Sequence, residues 1–545
     1  LSNSRFELNN SEKKAEKFEI ALSGIGVLID SVYNRSRIVK GNLRELTFVQ
    51  DSGIYMKHFS GHVDLDSAAS DVVGLRIITS HTNLVADAAL EAPVGDAAGG
   101  YPFRVSMKGS VGLSDIVPFY DGIPDAIRSK RLNVDASLVW SKEYLSLRKL
   151  KLDMENRFSM EARGNLESLN DIENITGSLE LHGRTDSTLF IRKGAKNREF
   201  NIPAHTEVYA DFKAYKGKIA PVVRIGNRNA LLSVLGYCNL ISKEYDISIR
   251  ADSFPVQRFI PGDIGRDLSG RIKIRGKGYD WRRAVVDAEV DIDGFVYNKH
   301  RYTDIFLKTM LSNTTLKAHL ISDDPDCILN LSVKADKVDS GHRISLDAKI
   351  PKLDFQRLNF SEEIAKLSCD FSFSGFLGSN EYGIRTDIKN IFLNQRGNKE
   401  DLGDIKLEMH SDVNTTLLKI NSGDFDMRFA ADTTIMHVTE LFAEAGRLLT
   451  RQIRRGTFDM EDVRQIMPYF KLDIEGGYKN AVMRYLAANN IKIRRLDLNA
   501  SSLPARGFQM LARVKYPMFG EVQFDSVCLE VCQHRKTMDY RLIFA

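Results

Sequence analysis

The sequence predicts a mainly β protein in which one strand module repeats and a small helical insert interrupts the series. The first observation is the seven-residue segment Gly270–Gly276, where apolar residues at every second position alternate with basic residues. Such alternation is typical of a strand with one apolar face and one wet face. The second observation is that this repeat motif returns at nearly equal steps of about 100 residues. Its four copies are Gly177–Gly183, Gly270–Gly276, Cys369–Gly375 and Phe470–Gly476.

Each copy of the repeat motif places two apolar residues on one face of its strand, and the neighbouring strand Val286–Ile292 alternates in the same way. An apolar face must be covered, so such strands close as a barrel, pair as a sandwich filled by its own side chains, or curl into a trough. A trough needs an apolar occupant, and lipid chains are suitable. The candidate lining residues are Leu179, Leu181, Ile272, Ile274, Val286, Val290, Ile292, Phe371, Phe373, Leu472 and Ile474.

Composition limits the classes of protein to consider. The 545 residues are too many for one compact core, and 43% hydrophobic residues argue against disorder. The formal net charge of +4, from 76 basic and 72 acidic side chains, gives no electrostatic reason to expect nucleic acid binding. No apolar run is long enough to span a bilayer. The chain begins and ends in strand-like sequence, so we expect an internal fragment of a longer protein whose anchor lies outside it.

We divide the chain into five regions from its turn residues and its changes of period. A glycine-rich stretch, Val94–Gly100, is expected to be a loop or module boundary. The regions are an N-terminal β module at 1–100, β-repeat regions at 101–245 and 246–430, a β module at 431–490 that contains the helical insert, and C-terminal strands at 491–545.

The helical insert, at about 437–490, is predicted from a change of period. From Val438 onward the apolar residues are spaced by three and four, which indicates an amphipathic helix ending at Gly456. Asp459 is expected to begin a second short helix that stops before Pro468, and a third is expected over Asn480–Asn489. The first helix is expected to pack on the sheet as a cover. A plug or gate in the trough, and contact of its basic end with anionic head groups, are the alternatives.

A search for catalytic chemistry finds no dinucleotide loop, phosphate-binding loop, zinc-type cysteine spacing or nucleophile elbow. His58 and His62 are four residues apart, but Ser60–Gly61 predicts a turn between them. Asp323–Asp326 could bind calcium, but it lacks the full EF-hand series and is interpreted as a solvated turn. The five cysteines are interpreted as free buried thiols that do not settle the compartment. We therefore predict no enzyme, no catalytic residue, no metal site and no cofactor.

Three stretches resemble the TamB-like branch of the AsmA superfamily, in the form found in Bacteroidetes-type bacteria. One is Phe48–Gly61 together with Gly74–Asp87, another is Phe254–Phe259 leading into Leu268–Gly278, and the third is the repeat motif itself. The resemblance implies an elongated, repetitive, twisted β-sheet that forms a hydrophobic groove, a β-taco-like fold. Two family landmarks are not evident in this sequence, the N-terminal membrane anchor and the C-terminal partner-docking domain.

The resemblance implies a non-enzymatic bridge in the periplasm of a Gram-negative bacterium, with the full-length protein anchored in the inner membrane. Phospholipid acyl chains would pass along the groove toward the outer membrane and support outer-membrane biogenesis. The alternative is a scaffold for assembly or translocation of outer-membrane β-barrel proteins, linked to protein secretion, with an Omp85-type partner. A carbohydrate-binding sandwich array ranks last, because the chain has only Trp140 and Trp281 as tryptophan platforms.

Overall fold

The fold is mainly β and about 9% helical in a computed structural model. The structure describes residues 4–9, 19–35, 38–50, 53–66, 70–90, 102–117, 123, 127–193, 198–227, 229–260, 265–338, 341–362, 365–395, 397–456, 459–503, 506–519, 522–534 and 537–545. It divides into two compact units, Leu1–Gly278 and Tyr279–Ala545. The glycine-rich stretch expected to be a boundary, Val94–Gly100, lies outside the described residues. The five predicted regions stay a prediction.

Unit 1 is an antiparallel sheet in which consecutive strands of the chain lie side by side. The hairpin of β12 and β13 branches from the sheet between β11 and β14. The elements are β1 (Ser4–Asn9), β2 (Glu19–Arg35), β3 (Ile38–Gln50), β4 (Tyr55–Leu65), β5 (Ser70–Ile78), β6 (Asn83–Leu90), β7 (Phe103–Gly112), a 3₁₀ turn (Leu113–Asp115), β8 (Arg131–Trp140), β9 (Tyr144–Met154), β10 (Phe158–Glu167), β11 (Thr176–Thr185), β12 (Leu189–Lys193), β13 (Arg198–Ile202), β14 (Glu207–Tyr215), β15 (Lys218–Asn227), β16 (Ala230–Asn239), β17 (Glu244–Phe254), α1 (Val256–Phe259) and β18 (Arg266–Lys277).

Unit 2 follows the same antiparallel, chain-order plan, with helices inserted between its later strands. The elements are β19 (Val285–Tyr297), β20 (His300–Tyr302), β21 (Ile305–Ser312), β22 (Thr315–Asp324), β23 (Cys327–Val338), β24 (Gly341–Asp354), β25 (Ala365–Gly378), β26 (Tyr382–Gln395), β27 (Asn398–Ser411), β28 (Thr416–Ser422), β29 (Phe425–Ala431), α2 (Ile435–Arg455), α3 (Met460–Ile466), β30 (Phe470–Gly476), α4 (Ala481–Ala488), β31 (Ile491–Lys492), β32 (Arg495–Leu503), β33 (Gly507–Lys515), β34 (Met518–Phe519), β35 (Val522–Gln523), β36 (Ser526–His534) and β37 (Thr537–Phe544).

Tight hairpins explain why successive strands become neighbours. Lys216 and Gly217 join β14 to β15, and both have positive φ, as the right-handed twist of a two-residue hairpin requires. Asn313 and Thr314 make the same connection between β21 and β22. A connection this short places each new strand antiparallel beside the strand that precedes it.

The closing glycines of the repeat motif make room for aromatic rings. A Cβ atom at Gly276 would stand 2.5 Å from the hydroxyl oxygen of Tyr245, its direct partner on β17. The ring of Phe373 covers Gly375 from two positions earlier on the same strand. Phe425 covers Gly476 from the neighbouring strand. Gly183, in the earliest copy, is the exception, because a Cβ atom there would meet nothing closer than 3.7 Å.

We expect Gly276→Ala to lower the free energy of unfolding by about 1–2 kcal/mol, because the new methyl group displaces the ring of Tyr245. The matched control is Gly183→Ala, which has space and removes backbone freedom from the unfolded chain. It should be neutral or stabilising by about 0.5 kcal/mol. Urea denaturation of the two variants measures the difference, and equal midpoints would contradict this account of the repeat motif.

The three predicted helices are confirmed, with their caps. Thr434 caps α2 at its N-terminus, and Gly456 ends it in the left-handed conformation. Asp459 accepts a hydrogen bond from the backbone N–H of Glu461 and so begins α3. Asn480 caps α4 in the same way through the N–H of Met483.

The turn predicted at Ser60–Gly61 is wrong. The chain continues there as β4, and in the register irregularity beside Gly61 the extra residue belongs to the partner strand β5. Glycine commonly marks a bulge inside a strand as well as a turn, so the dipeptide alone was ambiguous.

Candidate functional site

The predicted lining residues of unit 1 share one face of its sheet. Leu181 and Ile272 are ninety-one positions apart in the sequence, yet they lie in the same cross-strand row because every intervening strand keeps its register. Leu179 and Ile274 lie on the same face, each two residues along its strand from Leu181 and Ile272 respectively. All members of this Leu181 row are apolar, namely Leu75, Ala86, Met107, Ala136, Leu150, Ala162, Leu181, Ala210, Val223, Val234, Ile249 and Ile272.

The predicted lining residues of unit 2 also share one face. Phe373 and Ile474 lie in one row, which only Thr309 and Thr386 interrupt with a polar group. Neighbouring rows on the same face contain the cross-strand pairs Val286–Leu311 and Val290–Leu307. Ile292, Phe371 and Leu472 also belong to neighbouring rows of this face. The Phe373 row consists of Ala288, Thr309, Ala318, Val333, Leu346, Phe373, Thr386, Leu407, Ile420, Met427, Ile474, Leu498, Ala512, Leu529 and Leu542.

Exposure distinguishes these faces from an ordinary filled core. Each of the eleven predicted lining residues is half-buried, and none is fully buried. Three small members of the Leu181 row, Ala136, Ala162 and Ala210, are buried, whereas large buried apolar side chains lie elsewhere, for example Leu358 in the loop before β25 and Val438 on α2. Inner-face residues of a packed sandwich would be mostly buried. Among the described residues, the apolar rows therefore keep part of their surface accessible.

The opposite face of each sheet carries paired charges. In unit 1, Arg163 donates to Glu180 at 2.8 Å, and Lys151 contacts Glu161 at the same distance. Lys149 contacts Asp135 at 2.6 Å. The two faces therefore differ in chemistry, since one presents apolar rows and the other a solvated lattice of ion pairs.

These ion pairs predict a mild loss of stability in acid. The hydrogen bond from Lys151 lowers the pKa of Glu161 below its ordinary 4.5, and that from Lys149 lowers the pKa of Asp135 below 3.8. A lowered folded-state pKa contributes stability above the ordinary value, and the contribution is lost as pH falls through the folded value. We expect the melting temperature to fall below about pH 4.5, and to fall less in Lys151→Met. An unchanged acid slope in that variant would contradict the assignment.

Helices cover one margin of the apolar face in unit 2. Val438 of α2 is buried against Ala431, Phe470 and Ala500, and the ring of Phe442 meets that of Phe470 at 5.2 Å between centroids. Leu472 packs against the edge of this cluster. A second cluster joins α2 to α3 through the residues Ala445, Met460 and Val463. The structure thus shows α2 packed on the sheet, as the cover interpretation expects.

One cluster of potential metal ligands lies among the described residues. Ligand-type atoms of His300, Asp324 and Asp326 lie within 4.8 Å of one another. Asp324 is 1% exposed and Asp326 is 9% exposed, so the prediction of a solvated turn is wrong. Asp324 accepts hydrogen bonds from the backbone N–H groups of Thr303 and Asp326.

The cations around Asp326 favour an ion-pair network over a metal site. Lys352 donates to Asp326 at 3.1 Å, and Arg357 at 3.4 Å. A metal ion would have to compete with both cations for the same carboxylate. The sequence placed Asp324 and Asp326 in one turn, but only the tertiary fold brings His300 of β20 and the cations Lys352 and Arg357 to them.

The five cysteines are free, as expected, but only Cys369 is buried, while the other four are half-buried. Burial raises the pKa of Cys369 and that of Cys327. Neither thiol has the electropositive surroundings of a reactive cysteine.

Comparisons with known proteins leave the family undecided. No protein-family model matches the chain, and neither a curated protein nor a solved structure is similar enough to be matched. Among the described residues, no helix combines the length and the apolar character needed to cross a membrane. The resemblance to the TamB-like branch therefore stays a prediction.

Proposed function

We propose that the apolar face of each unit binds phospholipid acyl chains, and that the protein carries phospholipids through the periplasm between the inner and outer membranes without chemical catalysis. The observation that carries this proposal is the in-register apolar row, half-buried and repeated from strand to strand. The row of Leu181 in unit 1 and the row of Phe373 in unit 2 are examples.

Burial of apolar surface would supply the binding energy. Burying one CH₂ group releases about 0.8 kcal/mol, so an acyl chain lying across several strands gains substantially from a dry, apolar lining. A polar ligand would lose its hydration without compensation there. The natural twist of a long antiparallel sheet lets such a face curl into a groove, with head groups at its open side. That the sheet forms such a groove is part of what we propose.

Photo-crosslinking in living cells tests the proposal directly. A photoreactive residue in place of Ile274 or Phe373 should yield phospholipid adducts. The matched positions on the opposite face are Lys273 and Ser372, next to them on the same strands. Adducts at the apolar positions that never exceed those at the control positions would refute acyl-chain binding.

The second candidate function is a scaffold for outer-membrane β-barrel assembly, in which β37 would receive a client strand. Among the described residues, β37 pairs only with β36, and Tyr540 is 80% exposed. The second side of such a strand can pair with an added strand, from a client or from chain beyond residue 545. Proline would replace Tyr540 in one variant and Arg541 in another. We expect one of these two variants to lose the pairing with the added strand. Loss of barrel assembly with intact lipid traffic would favour the scaffold.

A further inference from the structure

One side of α2 carries four arginines. Arg447, Arg451, Arg454 and Arg455 are spaced so that they fall on one helical face, and all four are exposed. We call this set the basic stripe. It covers about 12 Å along the helix axis, at 1.5 Å for each residue.

Packing fixes the direction in which the basic stripe points. The buried residues of α2, which are Val438, Ala445 and Gln452, face the sheet and α3. The amide of Gln452 also donates to the carbonyl oxygen of Asp459 at 3.0 Å. The helix cannot rotate without breaking these contacts, so the basic stripe is held toward solvent.

No contact within the described part of the chain compensates the charge of the basic stripe. None of its guanidinium groups makes an ion pair or hydrogen bond with a described residue. Arg447 and Arg451, and Arg451 and Arg455, are like charges at a spacing that destabilises a helix. The helix dipole favours Arg454 and Arg455 in the last turn, but its effect does not reach Arg447.

We propose that the basic stripe binds the anionic head-group surface of a phospholipid bilayer. Guanidinium groups match phosphate oxygens in pairs, and each basic residue near an anionic surface strengthens attachment several-fold. Residues 447–455 contain no aromatic side chain, so the stripe lacks the aromatic anchors typical of a protein interface, and the acidic Glu440 and Glu444 precede it on the same side of the helix. This contact goes beyond acyl-chain binding and does not depend on it.

Vesicle co-sedimentation of the full chain tests the proposal. The probes are vesicles of equal parts phosphatidylcholine and phosphatidylglycerol, with pure phosphatidylcholine for comparison. We expect R447Q/R451Q/R454Q/R455Q to weaken binding to the anionic vesicles roughly 100-fold. Replacing the four arginines with lysines should retain most binding, because the attraction is electrostatic. Glutamine and lysine both suit a helix, so circular dichroism should be unchanged.

The matched control removes the same charge from the polar face of the sheet in unit 2, by changing Arg343, Lys419, Arg513 and Lys515 to Gln. These four residues are also exposed. Binding that falls equally in the control and the stripe variant would overturn the proposal. So would tight binding to soluble heparin without binding to anionic vesicles, because that result would indicate an acidic macromolecule.

Discussion

Phospholipid transfer between vesicles is expected to fall at least about tenfold when Phe373 is replaced by Asp. The new carboxylate would stand in the apolar row between Leu346 and Thr386, where a passing acyl chain must displace its water. Removing water from an unpaired carboxylate costs several kcal/mol, and each 1.4 kcal/mol is a factor of ten. The measurement is the initial rate of fluorescent phospholipid transfer by the purified protein.

Ser374→Asp is the matched control for this prediction. Ser374 follows Phe373 on β25 but faces the charged side, directly opposite Arg385 on β26. The same charge is therefore added where it is solvated and has a basic neighbour. Equal transfer rates in the two variants, with both folded, would show that the apolar row does not carry lipid.

Val438→Asp is expected to detach α2 from the sheet and to lower the free energy of unfolding by about 3–5 kcal/mol. Val438 is 2% exposed in the cluster with Ala431, Phe470 and Ala500, so an aspartate there is a buried charge without a partner. Thermal denaturation and hydrogen exchange of the α2 amides measure the effect.

Ala443→Asp controls for the lower helix propensity of aspartate, because Ala443 is an exposed position of the same helix. It should cost less than about 1 kcal/mol. If Val438→Asp left stability unchanged while it reduced lipid transfer, α2 would act as a gate and not as a cover.

The features that were predicted correctly are those determined by residues close together in the sequence. The alternation in Gly270–Gly276 predicted a one-faced strand, and the predicted starting residues Asp459 and Asn480 stand where helices begin. These features depend on a few neighbouring residues, so one sequence was enough to find them. The turn predicted at Ser60–Gly61 was wrong, because a glycine inside a strand opposite a bulge and a glycine in a turn have the same local sequence.

Asp324 and Asp326 stand in an acidic turn that the sequence showed, but no sequence pattern linked His300 to them. The partners of Asp326, Lys352 and Arg357, come from a later hairpin and the loop that follows it. A solvated turn and a buried ion-pair network differ only in what packs over them, and that depends on strands far along the chain.

The sequence by itself determined that the chain forms strands with one apolar and one charged face, because side-chain alternation is a property of each strand alone. Only the tertiary structure decided that Leu181 and Ile272 share a row, because register must be kept through every hairpin between them. It also decided that α2 covers a margin of the apolar face and directs its arginines outward. An amphipathic pattern specifies which side of a helix is buried, but the surface that buries it belongs to other strands.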